Sequence, residues 1–477
     1  MVGSGIIHQL KRVLILKTEK MKTIKILTYL LFAFTLLMGC KDDEISVQEK
    51  DNAFVPRILG GDIASIFPNP NTTQVLDVGE KIDFSNLQFS PVGKVSVVWK
   101  VDDAQVSTSD KYIFTATTPG DHRIKVEVSY NGTTVSRYKD VFVLAGAGAT
   151  FTPKTYTKVM MSYVGENGDV SAMNWNNVTH VTFKAGVVNA AGILDLTKGE
   201  TGRKTQEIVT KAHINGVYAL LGISATLSAN GWNVYDSNTF GNALKNVTQR
   251  ATMVQDIKKY LTDRSLDGVD VMMADVGNTV EATTTANMAA TILFINELRV
   301  VLGTSKIITL TVPVNYTHSN YTASSLSNVT WVNVRAFESG LNTGVGRPLG
   351  NPSGYQYMVT SAEVWKAKMP TDKLVIGIPA MGLRYTAVDA NGNNLNFTSF
   401  NYIPYKDILA LSPTAFDKEK LDLTPAPLAI YYNGVPMVTQ KAQYIKANGY
   451  LGAYIWQGDF DVNGPNSLTL AIASALK

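Results

Sequence analysis

Leu266-Asp267-Gly268-Val269-Asp270-Val271-Met272-Met273-Ala274-Asp275 is the stretch whose reading decides the fold. Its centre, 268–272, is a short run lying between helical patterns at 241–262 and 286–302. A run of that length, set between helices, reads as a strand of a parallel sheet covered on both faces. Strand side chains alternate between faces, so Asp270, Met272 and Ala274 share one side and Asp275 points to the other.

Outward from that strand the alternation continues. Apolar strands are expected at 159–163, 178–185, 217–222, 307–312, 331–337, 374–379 and 454–456, with a further helix over 203–215 closed by Gly216. Strands alternating with helices imply parallel βα units. Eight such strands in roughly 320 residues fit a closed (β/α)8 TIM barrel over 153–477, an α/β fold. An open doubly wound sheet is the alternative. No glycine-rich phosphate loop opens any of the helices.

The texture differs upstream. Ala145-Gly146-Ala147-Gly148-Ala149-Thr150 offers no packing surface, and 145–152 reads as a linker. Over 54–144 short strands alternate by twos: Val95, Val97, Trp99 and Val101 on one face, Ile124, Val126 and Val128 on another. Pro119-Gly120-Asp121 and Asn131-Gly132 supply turns, the latter a strong hairpin signal. These features predict a small all-β sandwich with Trp99 in its core. Val97-Val98-Trp99-Lys100-Val101-Asp102 and Thr117-Thr118-Pro119-Gly120-Asp121-His122 resemble a PKD-like, immunoglobulin-type module. The resemblance implies a spacer for the neighbouring domain, with a second glycan site as the alternative.

From Met21, the basic residues Lys22 and Lys25 precede an apolar run over 26–38 and then Gly39-Cys40. That order describes a secretory signal, too short in its apolar core for a retained transmembrane helix. Leu37-Met38-Gly39-Cys40 resembles a bacterial lipobox, which implies a leader and lipoprotein signal over 1–39 and lipidation of Cys40. Residues 40–53 form a tether. Its start, Lys41-Asp42-Asp43-Glu44, resembles the surface-export signal of glycan-foraging Gram-negative bacteria and implies an outer-membrane, lipid-anchored protein facing the exterior.

Composition narrows the function further. Residues 1–39 hold six basic residues against Glu19, a net of +5, so removing them takes the formal charge from +4 to −1. No basic footprint for nucleic acid remains. Cys40 is the single cysteine, which excludes an intramolecular disulfide. With five histidines and neither H-E-x-x-H nor paired cysteines, no metal or cofactor is expected. His180, inside a strand, reads as a core histidine, and no G-x-S-x-G elbow is present.

Four landmarks in order give the barrel a family resemblance. Asp267, Gly268 and Asp270 have the spacing of a D-G-x-D-x-D-x-E signature. Val332-Asn333-Val334, Lys373-Leu374-Val375-Ile376-Gly377-Ile378-Pro379 with Gly382, and Gly452-Ala453-Tyr454-Ile455-Trp456 follow at barrel spacing. From about residue 158 onward the chain resembles the family-18 glycoside hydrolases, the chitinases and endo-β-N-acetylglucosaminidases. In that family the last acid of the signature protonates the leaving oxygen. The preceding aspartate orients the substrate's acetamido group, which acts as nucleophile, an exception to the two-carboxylate scheme.

This sequence departs where the chemistry would lie. Met272 replaces the orienting aspartate and Ala274 the acid glutamate. A positioned general acid accounts for roughly 10²–10⁴-fold in rate, so little catalysis is expected. Gly222-Ile223-Ser224-Ala225 and Arg335-Ala336-Phe337-Glu338 also depart from the family's third- and sixth-strand patterns, Phe337 lacking a hydroxyl. Asp267, Asp270, Met272 and Ala274 are thus degenerate catalytic positions. The resemblance makes Trp456 a sugar platform, and Tyr163, Trp232, Glu338, Asn315 and Arg384 are candidate glycan contacts, with Tyr316 and Tyr385 beside them. The chain 383–448 holds a hairpin-like stretch at 429–434, from which a shallow groove is expected.

The expected function is a non-catalytic, cell-surface glycan-binding lipoprotein that holds N-acetylglucosamine-containing oligosaccharides or N-glycans, beside an outer-membrane glycan transporter. An active endo-β-N-acetylglucosaminidase or chitinase using a displaced acid, Asp275 or Glu338, is the first alternative. A protein-binding scaffold is the second.

Overall fold

The computed structural model describes residues 54–60, 63–165, 167–171, 173–189, 191–225, 237–272, 281–312, 321–337 and 342–477. The leader, the tether and Cys40 lie outside the described residues. The chain divides into two compact units, one comprising Met1–Thr72, Asp83–Phe114 and Arg123–Lys139, the other Thr73–Ile82, Thr115–His122 and Asp140–Lys477.

In the first unit the period-two pattern forms antiparallel sheet, consistent with an all-β domain. Val97 pairs with Val128 and Trp99 with Val126. Trp99 is fully buried, its ring 4.9 Å from Phe84 and 5.0 Å from Tyr112. Its indole N–H donates to the Ser109 carbonyl at 3.1 Å, so burying the ring leaves no polar atom stranded. Asn131 and Gly132 take positive φ of 44° and 78°, the left-handed turn that this dipeptide favours.

The second unit contains a closed barrel of eight parallel strands: β1 Val159–Val164, β2 His180–Val188, β3 Tyr218–Ser224, β4 Gly268–Met272, β5 Ile307–Val312, β6 Trp331–Val334, β7 Leu374–Pro379 and β8 Gly452–Trp456. Each pairs with the next in sequence, and β8 closes on β1 with Met161 opposite Tyr454. The open-sheet alternative is thereby excluded. Around the strands lie α1 Lys204–Ile214, α2 Ser237–Lys245, α3 Val247–Asp263, α4 Glu281–Leu302, α5 Tyr355–Lys366, α6 Tyr405–Leu411, α7 Val435–Ala447 and α8 Leu468–Leu476.

Alternation along each strand divides the core in two. Val269 and Val271 of β4 join the large outer cluster with Phe294, Ile295 and Leu298 of α4. Met272 joins a separate inner cluster with Tyr163, Phe337, Tyr454 and Trp456. Helix α4 contains the one segment among the described residues, Thr284–Leu302, that is long and apolar enough to cross a membrane. Its burial of Phe294, Ile295 and Leu298 is that of a barrel helix.

The sixth strand, expected over 331–337, ends at Val334, and two stretches differ from expectation in kind. The single helix expected over 241–262 is two, because Asn246 caps α3: its side-chain oxygen accepts from the Thr248 and Gln249 amides at 3.0 and 3.1 Å. Between β7 and β8 the chain builds more than a hairpin. Met381–Tyr385, Phe400–Pro404, Lys420–Asp422 and Ala429–Tyr431 form a four-stranded antiparallel sheet in which Ala429–Tyr431 is paired on both sides. Strands of three to five residues leave too short a pattern for alternation to register.

Candidate functional site in the barrel interior

Inward-facing residues stack from the N-terminal end of the barrel toward the mouth formed by the strands' C-terminal ends. At the base, His180 is fully buried, stacked on Tyr218 at 5.0 Å and edge-on to Trp331. Burial lowers its pKa to about 3, so the ring is neutral, with Thr179 Oγ1 and Nδ1 hydrogen-bonded at 2.8 Å. It is the core histidine that its place in a strand predicted.

One layer up lies Asp270, also fully buried. Its carboxylate accepts from Tyr163 Oη at 2.7 Å, Thr309 Oγ1 at 2.5 Å, Thr311 Oγ1 at 2.9 and 3.1 Å, and Asn333 Nδ2 at 3.1 Å. Asn333 in turn accepts from the Trp331 indole at 2.9 Å. Four donors from three strands therefore occupy both carboxylate oxygens. Burial raises the Asp270 pKa above its ordinary value, and the four hydrogen bonds pull in the opposite direction. Burial, followed by the charge of Asp270, pushes the Tyr163 phenol well up, keeping it a donor.

Met272, two residues farther along β4, is in the next layer and is also buried. It clusters with Tyr163, Phe337 and Trp456, whose ring lies 4.9 Å from Tyr163 and 5.9 Å from Phe337. The layer depends on Gly377 of β7, where a Cβ would run into the rings of Tyr454 and Phe337. Trp456, expected as a sugar platform, is only 2% exposed, and its ring is covered.

A charged cluster borders this layer. Lys184 of β2 is fully buried, with Nζ 4.4 Å from the centre of the Trp456 ring, and donates to Gln457 Oε1 at 2.7 Å. Gln457 is held in the left-handed conformation, φ 61°, directly after β8. Asp459, nearly buried, accepts from the Gly165 amide at 3.2 Å. Burial raises its pKa, opposed first by Lys184. Lys184, Gln457 and Asp459 were not singled out from sequence, although a signal existed. His180, Thr182 and Lys184 are polar at every second position against Val181, Phe183 and Ala185, which marks an inward-facing polar stripe.

The other expected site residues are dispersed. Asp267 stands before β4 at the opposite end, its Oδ2 accepting from His213 Nε2 at 2.9 Å and the Ala219 amide at 2.7 Å, a structural tie. Arg384 is exposed on the antiparallel sheet that follows β7, and the neighbouring Tyr385 is buried. Ser224 and Phe337 are buried at the mouth. Trp232, Ala274, Asp275, Asn315, Tyr316 and Glu338 lie outside the described residues. Among the described residues, no three His, Cys, Asp or Glu side chains converge as a metal site.

A family profile described as "Glycosyl hydrolases family 18" matches residues 128–461. Solved structures of similar fold include a chitinase from Bacteroides thetaiotaomicron, 20% identical with TM-score 0.55, covering 67% of this chain and 97% of that one. A mutant class V chitinase from Nicotiana tobaccum in complex with NAG4 is 18% identical, TM-score 0.52, with 67% and 99% covered. A chitinase-like agglutinin from Robinia pseudoacacia is 16% identical, TM-score 0.52, with 66% and 99% covered. Comparison with curated protein sequences gives no match. At such identities these structures establish the shared barrel.

Proposed function

The chain belongs to glycosyl hydrolase family 18, and we propose that it holds N-acetylglucosamine-containing glycans at the barrel mouth without cleaving them. The observation that carries this reading is β4 itself. Met272 stands in an apolar layer where the family signature has its orienting carboxylate, and Ala274 stands at the place of the acid. Asp270, the carboxylate that remains, is saturated by four donors. A general acid must exchange its proton with a ligand, which a carboxylate so enclosed is not placed to do. The chitinase-like agglutinin of similar fold supports the reading, as an example of a chitinase-like barrel named for binding.

The same proposal gives the chain a setting. Cys40 carries a lipid that anchors it in the outer membrane, facing outward. The PKD-like sandwich spaces the barrel from the surface, and a transporter and a separate hydrolase handle what it holds.

The test is to incubate the protein with chitooligosaccharides and N-glycans and measure both binding and released product. Binding without product supports the proposal, and its weakening in Trp456→Phe, a variant that keeps an aromatic ring in the layer, places the ligand at the mouth. Product whose release is abolished by Asp275→Asn or Glu338→Gln would overturn it in favour of a displaced acid. No binding to any glycan would favour a protein-binding scaffold.

A further inference from the structure

The opposite end of the barrel has a cleft that the glycan reading does not use. It measures about 310 Å³ and lies where the chain enters β1 and β2, beside the last turn of α8. Lys154, Lys158 and Lys477 line it, with Met160, Ala473 and Leu476 as apolar wall. Lys154 Nζ donates to the Trp175 carbonyl at 2.7 Å and Lys158 Nζ to the Tyr450 carbonyl at 2.5 Å. One of three donors on each ammonium is thereby fixed to the backbone, which orients the group and leaves donor capacity for a ligand.

We propose that this cleft binds a small amphiphilic anion, its head group on the lysines and its hydrocarbon part against Met160, Ala473 and Leu476. The volume is within the usual range for small-ligand sites, roughly 300–1,000 Å³, and combines apolar wall with few polar groups as such sites do. Like charges also converge there. Burial, and after it the ammonium of Lys477, holds Lys154 below the ordinary lysine range, a penalty that a bound anion relieves.

Titration of the full chain with octanoate at low salt tests the proposal. Saturable one-to-one binding is expected, at least about tenfold tighter than that of inorganic phosphate or neutral octyl glucoside. Lys154→Met combined with Lys158→Met should weaken it at least about tenfold, and Leu476→Asp similarly. Lys477→Ala, at an exposed position that leaves folding unaffected, should weaken it about threefold with an unchanged unfolding midpoint. Absence of saturable octanoate binding, equal binding of phosphate, or indifference to all the lysine variants would overturn the site. Retention on phosphatidylglycerol vesicles that is lost in the double variant assigns the anion to a lipid surface. Octanoate binding without vesicle retention assigns it to a free amphiphile, and both outcomes support the cleft.

Discussion

Asp270 and Met272 are two residues apart on the same face of one strand, yet they occupy opposite kinds of surroundings. The Asp270 layer is polar and closed, with a carboxylate held by donors from β1, β5 and β6. The Met272 layer, nearer the mouth, is apolar, with the charged cluster of Lys184, Gln457 and Asp459 at its border. The difference separates what the barrel needs to stand from what a hydrolase needs to act. A buried carboxylate left without its donors would destabilise the fold, whereas an acid facing a ligand contributes only to chemistry. The layer with a structural duty is polar, and the layer where chemistry would occur is not.

The largest expected effect breaks the Asp270 layer. Asp270→Ala removes the acceptor of four side chains in a fully buried site. Leaving buried donors unsatisfied costs roughly 1–3 kcal/mol each, so the loss should reach at least about 3 kcal/mol in urea unfolding. A loss below about 1 kcal/mol would mean that the polar layer is not structural. Next is Lys184→Met, which keeps the volume but takes the donor from Gln457 Oε1 and the cation from the Trp456 ring and Asp459. It should cost about 2 kcal/mol. It should also change glycan affinity, since Lys184 sits against the covered face of Trp456; an unchanged affinity would put the ligand elsewhere.

Base and middle layers should differ in the sign of their pH dependence. Asp270 has a raised folded-state pKa, so the native protein keeps a proton that the unfolded chain releases. That contribution is fully present below about 3.8 and is lost as pH rises through the raised value. His180, lowered to about 3, behaves oppositely: its stability is present above about 6.5 and is lost as pH falls through about 3. Each slope is at most roughly 1.4 kcal/mol per pH unit. Urea midpoints between pH 3.5 and 7 for Asp270→Asn and His180→Gln, each set against the parent protein, should diverge in opposite directions.

Much of this arrangement was legible in the sequence. The eight strands and their order follow from the βα alternation, and β4 keeps the boundaries 268–272 read from its pattern. Asp270, read from the signature as a degenerate catalytic position, is held by four donors. The long-range partnerships are not legible there. Nothing near Asp270 in sequence announces Thr309, Thr311 or Asn333 as its partners, because barrel closure brings them in from β5 and β6. Lys184 lies inside an apolar strand, where its parity alone points it inward. The sheet between β7 and β8 shows in the sequence only as one hairpin, because its strands are too short for period-two alternation to stand out.

The smallest change tests how the middle layer shares its load. Thr309 Oγ1 makes one hydrogen bond to Asp270 Oδ1, an oxygen that also accepts from Thr311 and Asn333. Thr309→Val preserves shape and removes only that donor, leaving the carboxylate otherwise satisfied. Its cost should therefore be about 1 kcal/mol, the net value of one hydrogen bond, and well below that of Asp270→Ala. The variant should also raise the Asp270 pKa further, because a bond that favours the charged form is gone. A midpoint loss equal to that of Asp270→Ala would show that the donors act as a single unit, and the layer would then have to be treated as one cooperative network.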